Sequence, residues 1–317
     1  MFCMNTITKN GLELIELKNK NSLTTVEILP KFGGILQAFT IQANSAFINV
    51  IDGHNTITDC TTALEINGFK SCKLSPFVCR INNATYTFNK QQYTIQKFLL
   101  GPNALHGLLY NVPFTIISQQ SNDTQASIAL QHTYTGSDSG YPFAFTCTIT
   151  YTLYTNDELK INTVITNNHA LPIPIQDGWH PYFTLGKNIN TLQLQFNSDK
   201  QFVFDGNMIP TGQAKPFTTF TTATKIGEAT FDDCFTLKFT NGQSIITLAD
   251  DEQKIKVNII ADKSYPYLQI YTPPHRQSIA IENLSSPPDG FNNGIDVIVL
   301  PPLAQHQFTT TYQVLQY

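Results

Sequence analysis

The 317 residues are enough to bury a large core without disulfides or metals. Hydrophobic residues make up 41% and charged residues only 13%, against roughly 25% charged in an average soluble protein, so the chain is globular rather than disordered. A net charge of −4 offers no basic surplus for phosphates and argues against a general nucleic-acid binder.

The amino end lacks the long apolar run of a signal peptide, and no stretch reaches the roughly 18 to 20 apolar residues of a membrane span. A cytoplasmic protein without membrane contact is the expectation. Beyond this point the chain alternates apolar and polar residues with a period of two. Ile128, Leu130, His132 and Tyr134 share one face, which makes His132 a hydrogen-bonded core residue. Phe143, Phe145, Cys147, Ile149, Tyr151 and Leu153 form the next stripe, followed by Leu192, Leu194 and Phe196, and by Ile255, Val257 and Ile259. Turn signals separate these runs at Asn10-Gly11, Gly136 to Gly140, Asn156-Asp157, Asn167-Asn168, Asp205-Gly206 and Asn241-Gly242. A short helical piece is predicted around residues 59 to 66. No βαβ alternation, repeat or linker occurs. The reading is all-β, one large antiparallel β-sandwich, with residues 1–317 as a single domain.

Four segments place ionisable groups beside turns and aromatics. Arg80 stands where an apolar strand meets Asn82-Asn83, either as a surface residue or at a cleft. His106 precedes Gly107, and a small neighbour lets a ligand approach the backbone; a satisfied core or turn histidine is the alternative, and taken alone the favoured one. His180 lies between Trp179 and Pro181-Tyr182-Phe183. Aromatic faces are platforms for sugar rings and imidazole moves protons near neutral pH; a structural histidine in an aromatic cluster is the alternative. Pro172, Pro174 and Pro181 put this segment at a strand edge or in a loop. Glu282 shares a strand face with Ser278 and Ala280, small neighbours that leave room for a ligand. A carboxylate in a partly dry cleft can serve as a base, or Glu282 simply pairs with a cation. The six cysteines are scattered, form no Cys-x-x-Cys pair and read as reduced thiols. No metal-ligand, nucleophile-elbow or dinucleotide pattern appears, so neither metal nor cofactor is expected.

In order along the chain, these segments resemble the aldose 1-epimerase (galactose mutarotase) family. Cys79-Arg80-Ile81, Asn103-Ala104-Leu105-His106-Gly107, His180-Pro181-Tyr182-Phe183-Thr184-Leu185, Phe231-Asp232-Asp233-Cys234-Phe235, and Glu282 with Pro288-Asp289-Gly290-Phe291-Asn292 match its motifs. Departures at Leu108, Trp179, Asn283 and Asp233 mark a divergent, bacterial-type member. The resemblance implies a β-supersandwich that interconverts the anomers of an aldose by opening and closing the ring, without cofactor or metal. It implies Glu282 as general base and His180 as general acid, with Arg80, His106 and Asp232 holding sugar hydroxyls. The expected partner is a small-molecule sugar, and the protein a monomer or homodimer. Two alternatives stay open: a non-catalytic carbohydrate-binding sandwich, and a hexose-6-phosphate 1-epimerase for which Arg80 and Arg276 would be the available cations.

Overall fold

The computed structural model describes residues 1–43 and 45–317. Every strand pair in its sheets is antiparallel among the described residues, and the two α-helices, Ile57–Cys60 and Gly290–Asn293, are single turns. The predicted helix is shorter than expected: Thr56 caps it by accepting from the Asp59 amide, and residues 61 to 68 continue as turns.

Two sheets carry the architecture. A nine-stranded sheet contains the strands Gln125–Tyr134, Phe145–Tyr154 and Glu158–Asn167, then Gln305–Gln316, Ile255–Asp262 and Gln243–Asp250 as direct neighbours. The strand Gln305–Gln316, late in the sequence, thus lies inside the sheet, paired on both sides. The second sheet orders Asp232–Thr236, Tyr267–Tyr271, Ile279–Leu284, Gly178–His180 and Cys72–Leu74, with Tyr182–Phe183 also pairing onto Ile279–Leu284. A five-stranded meander from Phe2–Lys9 to Ala46–Asn49 contributes to the same buried core.

The stripes read from the sequence meet between these layers. Ile149, Tyr151, Val257, Ile259 and Tyr312 pack against Trp179, Phe183, Ile270, Ile279 and Ile281 in one buried cluster. Successive side chains of a strand point to opposite faces. While Trp179, Phe183, Ile279 and Ile281 fill the core, His180, Tyr182, Ala280 and Glu282 therefore face away from it. His132 departs from its stripe. It is half-buried, near the end of its strand, and its Nδ1 lies 2.9 Å from the Pro113 carbonyl rather than in the core.

The proline-rich segment also differs from expectation. Ile173–Ile175 does pair on an edge, with Ile298–Leu300. Gly178–His180, however, is interior, between Cys72–Leu74 and Ile279–Leu284. The prolines flank this three-residue strand rather than occupy it, so its amides stay available for the ladder. The cysteines are free, and all but Cys3 are buried.

Replacing Phe145, a fully buried ring 5.3 Å from Tyr134, tests the sandwich core away from the cleft. Phe145→Ala should destabilise by about 3 to 5 kcal/mol. Urea unfolding should show a lower midpoint with an unchanged slope.

Candidate active site

The second sheet's outer face, with the segments 79–81 and 100–107, encloses a cavity of about 240 Å³. Arg80, His106, His180, Asp232 and Glu282 all line it. Five residues spread over two hundred positions of sequence are thus brought together.

Register explains the central contact. Gly178 pairs with Leu284 and Tyr182 with Ala280, so His180 and Glu282 fall opposite each other between those pairs. His180 Nε2 stands 3.3 Å from Glu282 Oε1. Both side chains are buried, at 7% and 2% exposure. Burial penalises charge on each. It lowers His180 from its ordinary value to about 4. It pushes Glu282 well above the carboxylate range, assisted by the Asp232 charge and opposed by Arg80.

The remaining walls come from neighbouring strands. Tyr267–Tyr271 pairs Gln269 with Glu282 and Tyr271 with Ala280, which puts Gln269 and Tyr271 on the cleft face. Asp232 pairs with Tyr271, joins the same face and accepts a hydrogen bond from Gln269 Nε2 at 2.8 Å. Asp233 points the other way and accepts from Gln201. Burial also raises Asp232, with Arg80 acting against it. Tyr182 stacks on His180 with ring centroids 5.3 Å apart, and His106 meets His180 edge-on at 5.0 Å. Phe69 packs on the far side of His106 at 4.6 Å. Burial, then the proximity of His180 and Arg80, holds His106 well below its ordinary value.

His106 owes its position to unusual backbone. Cys79 and His106 both take left-handed φ values, 48° and 61°. The amide of His106 donates to the Cys79 carbonyl at 2.8 Å, and that of Leu108 to the Ser75 carbonyl at 2.8 Å. Gly107, at φ 79°, lies so close to Ser75 that a Cβ would overlap the Ser75 carbonyl. Only glycine meets both demands.

Several polar atoms of the cavity wall are unpaired. His180 Nδ1, Glu282 Oε2, His106 Nδ1 and Gln269 Oε1 are buried without a protein partner. Arg80 makes no side-chain hydrogen bond or ion pair among the described residues. Unpaired buried polar groups are costly and mark places where a polar ligand completes the bonding. Arg276 does not reach the cleft: its guanidinium is committed to Asn190 and to the carbonyls of Gly227 and Ala229 at 2.8 and 3.0 Å. The cavity is also lined by Glu65, which adds a further carboxylate. Sequence reading missed Gln269, Tyr271, Phe69 and Glu65. Period-two alternation within Tyr267–Tyr271 could have grouped Gln269 with Tyr271, but only the pairing register shows that this face meets Glu282. Among the described residues no group of three or more His, Cys, Asp or Glu is placed to hold a metal ion.

Fold and cleft together define a galactose mutarotase-like β-sandwich. The chain belongs to the aldose 1-epimerase family, whose model matches residues 13–313. It is 26% identical over 241 residues to the Escherichia coli K12 protein YihR, covering 74% of this chain and 75% of that one. It is 29% identical over 182 residues to a maltose epimerase of Levilactobacillus brevis, covering 51% of this chain and 53% of the relative. An aldose 1-epimerase of Streptococcus thermophilus is 26% identical over 216 residues, 65% of this chain and 59% of the relative. Among solved structures, a galactose mutarotase-like protein from Clostridium acetobutylicum superimposes with a TM-score of 0.87 at 17% identity, covering 100% of this chain and 99% of that one. The galactose 1-epimerase of Lactobacillus acidophilus gives 0.82 at 17% identity, with the same coverage of both chains.

Gly107→Ala should disturb the floor under His106. Strain at a left-handed position and overlap with Ser75 together should cost about 2 to 4 kcal/mol. Thermal unfolding measures that loss, and a circular dichroism spectrum of native shape at low temperature shows that the fold survives.

Proposed function

We propose that this protein interconverts the α and β anomers of a free aldose by acid–base ring opening and reclosure. Membership of the aldose 1-epimerase family supports an epimerase. The observation that carries the finer reading is the buried His180–Glu282 pair, 3.3 Å apart, with one atom of each left unpaired in a cavity of sugar scale.

The pair works with one proton. In one form Glu282 is a carboxylate and His180 an imidazolium; in the other both are neutral. The two forms contain the same number of protons, so exchange between them needs no outside donor. From the ionised form, Glu282 takes the proton of the anomeric hydroxyl while His180 gives its proton to the ring oxygen. The bond from C1 to the ring oxygen breaks, C1 becomes an aldehyde, and the pair is left neutral. Rotation about C1–C2 presents the other face of the aldehyde, and the same steps in reverse close the opposite anomer. Burial favours the neutral pair and therefore the ring-opened state. Arg80 favours the carboxylate and therefore the return of charge to Glu282. Arg80, His106 and Asp232 hold the sugar hydroxyls, and the two basic groups face oxygen atoms that gain charge during opening. Tyr182, stacked on His180, offers its remaining surface to the apolar face of the ring.

The charge inventory favours neutral sugars. Arg80 is the one Lys or Arg side chain that lines the cavity among the described residues, beside three carboxyl groups from Glu65, Asp232 and Glu282. A phosphate dianion would find one guanidinium there, beside carboxyl groups rather than further cations.

Glu282→Gln and His180→Asn should each lower turnover on the order of 10²-fold or more, with sugar affinity much less affected. Coupled mutarotation assays decide this, and folded variants with native turnover would remove the assignment. Arg80→Ala, His106→Ala and Asp232→Ala should each raise KM, by lost hydrogen bonds worth roughly 1.5 to 3 kcal/mol. The native rate should follow a bell. Its acid limb falls near pH 4, where His180 gains a second proton for the pair and Glu282 ceases to be a base. Its alkaline limb lies where the pair loses its single proton, above the usual carboxylate range because burial makes Glu282 retain it. In a substrate panel, free aldoses should be used at least as well as their 6-phosphates; a kcat/KM about tenfold higher for a phosphate would show that the cavity supplies compensating cations.

A further inference from the structure

Behind His180, on the core side of the sheet, lies an ionic network that the acid–base reaction does not use. Lys73 and Asp177 form an ion pair with both side chains at 0% exposure. Lys73 alternates with Cys72 and Leu74, which belong to the smaller apolar cluster, and so points into the main core. There its ammonium sits over the Trp179 ring, 4.3 Å from the centroid. It also donates to the Gly178 carbonyl at 3.1 Å. Tyr265 donates its hydroxyl to Asp177 Oδ1 at 2.6 Å. The Asp177 amide donates to Ser285 Oγ at 2.8 Å, and the Ser285 amide donates back to the Asp177 carbonyl at 2.9 Å.

Such a pair is an expensive way to fill a core. Desolvating two charges takes back much of their attraction, and apolar replacements of similar size are often neutral or stabilising. Its place in the fold suggests what it does. The ladder between Gly178–His180 and Ile279–Leu284 has a single pair, Gly178 with Leu284. Pairing resumes at Tyr182 with Ala280. Between them, where His180 faces Glu282, the Ile281 amide donates to the Pro181 carbonyl at 3.2 Å, and Pro181 has no amide to donate back. Paired register is therefore interrupted at the acid–base contact itself. The network grips Asp177, Gly178 and Trp179, the three residues ahead of His180, from the opposite face, and through Ser285 ties them to the segment that follows Glu282.

We propose that Lys73, with Asp177 and Tyr265, is a positioning device that sets the distance and orientation of His180 relative to Glu282. The inference rests on the acid–base reading of that pair. The sugar grips on Arg80, His106 and Asp232 lie on other segments, so loss of the network should reduce chemistry rather than binding.

Removing one charge would strand the other, so the test uses the double variant Lys73→Met/Asp177→Leu, which removes both. In the folded variant, kcat should fall about tenfold or more, because small misplacement of reacting groups is costly. Sugar affinity by calorimetry should change by less than about threefold, the split expected when only transition-state contacts are lost. The His180 imidazole resonance, identified by its loss in His180→Asn, should titrate with a midpoint moved by about half a pH unit or more, since its coupling to Glu282 depends on their separation. A folded double variant with native kcat and native titration overturns the proposal. Should the native protein fail to mutarotate any aldose, the proposed function falls, while the His180 titration still decides whether the network positions the pair. If the double variant does not fold, Tyr265→Phe keeps the ring and deletes one hydroxyl. It should lower kcat by about threefold and move the same titration in the same direction; native behaviour in both measurements overturns the proposal.

Discussion

A carboxyl group and an imidazole held out of water share one proton between them only if neither can discharge its charge elsewhere. In the proposed reaction His180 and Glu282 meet that condition because they lie opposite each other on neighbouring strands with their side chains almost fully enclosed. Water would solvate the charges separately and uncouple them. The protein instead packs Tyr182 and His106 against His180, and leaves the nearby Arg80 guanidinium as the force favouring charge on Glu282. The other features of the cleft follow from this need for dryness next to polarity.

The sandwich meets that need by dividing each strand between two environments. Trp179 and His180 are consecutive residues, yet one fills the core and the other lines the cleft. The same holds for Ile281 and Glu282. The apolar half anchors each strand against the nine-stranded sheet, so the polar half can remain incompletely bonded at a cost the core sustains. Backbone in rare conformations adds to that cost at Cys79 and His106, both at positive φ beside the cavity. Strain of this kind persists only where surrounding structure determines it, and here the contact of Gly107 with Ser75 supplies the determination.

The sandwich and much of the cleft were legible in the sequence, for a physical reason. Half-buried antiparallel strands write their burial into alternate residues, so the stripes from Phe143 to Leu153 and from Ile255 to Ile259 lie in the core as read. His132 shows where alternation fails: Tyr134, two residues further on, is buried, while the imidazole stays half-exposed with its Nδ1 at the Pro113 carbonyl. The interior placement of Gly178–His180 was hidden because three prolines nearby argued for an edge, and only the pairing with Cys72–Leu74 showed them to be flanking. Gln269 and Tyr271 carry no chemical signature of their own; register alone brings them to Glu282. The choice between Asp232 and Asp233 likewise needed a partner strand. Lys73 was invisible for the opposite reason, since a lone lysine between two apolar residues reads as a solvent-facing position until its strand is found to be covered on both sides.

Asn283, which departs from the family pattern, points into the core and accepts a hydrogen bond from the Thr310 hydroxyl at 2.8 Å. Thr310 belongs to Gln305–Gln316, the strand that sits between Glu158–Asn167 and Ile255–Asp262. This strand is the last of them to be synthesised, yet it occupies the middle of the larger sheet. Without it, that sheet would be two separate halves, each with an open edge able to pair with other chains. The two ladders of this strand join segments far apart in the sequence, the kind of pairing that forms slowly and leaves apolar strands exposed to aggregation until it is made.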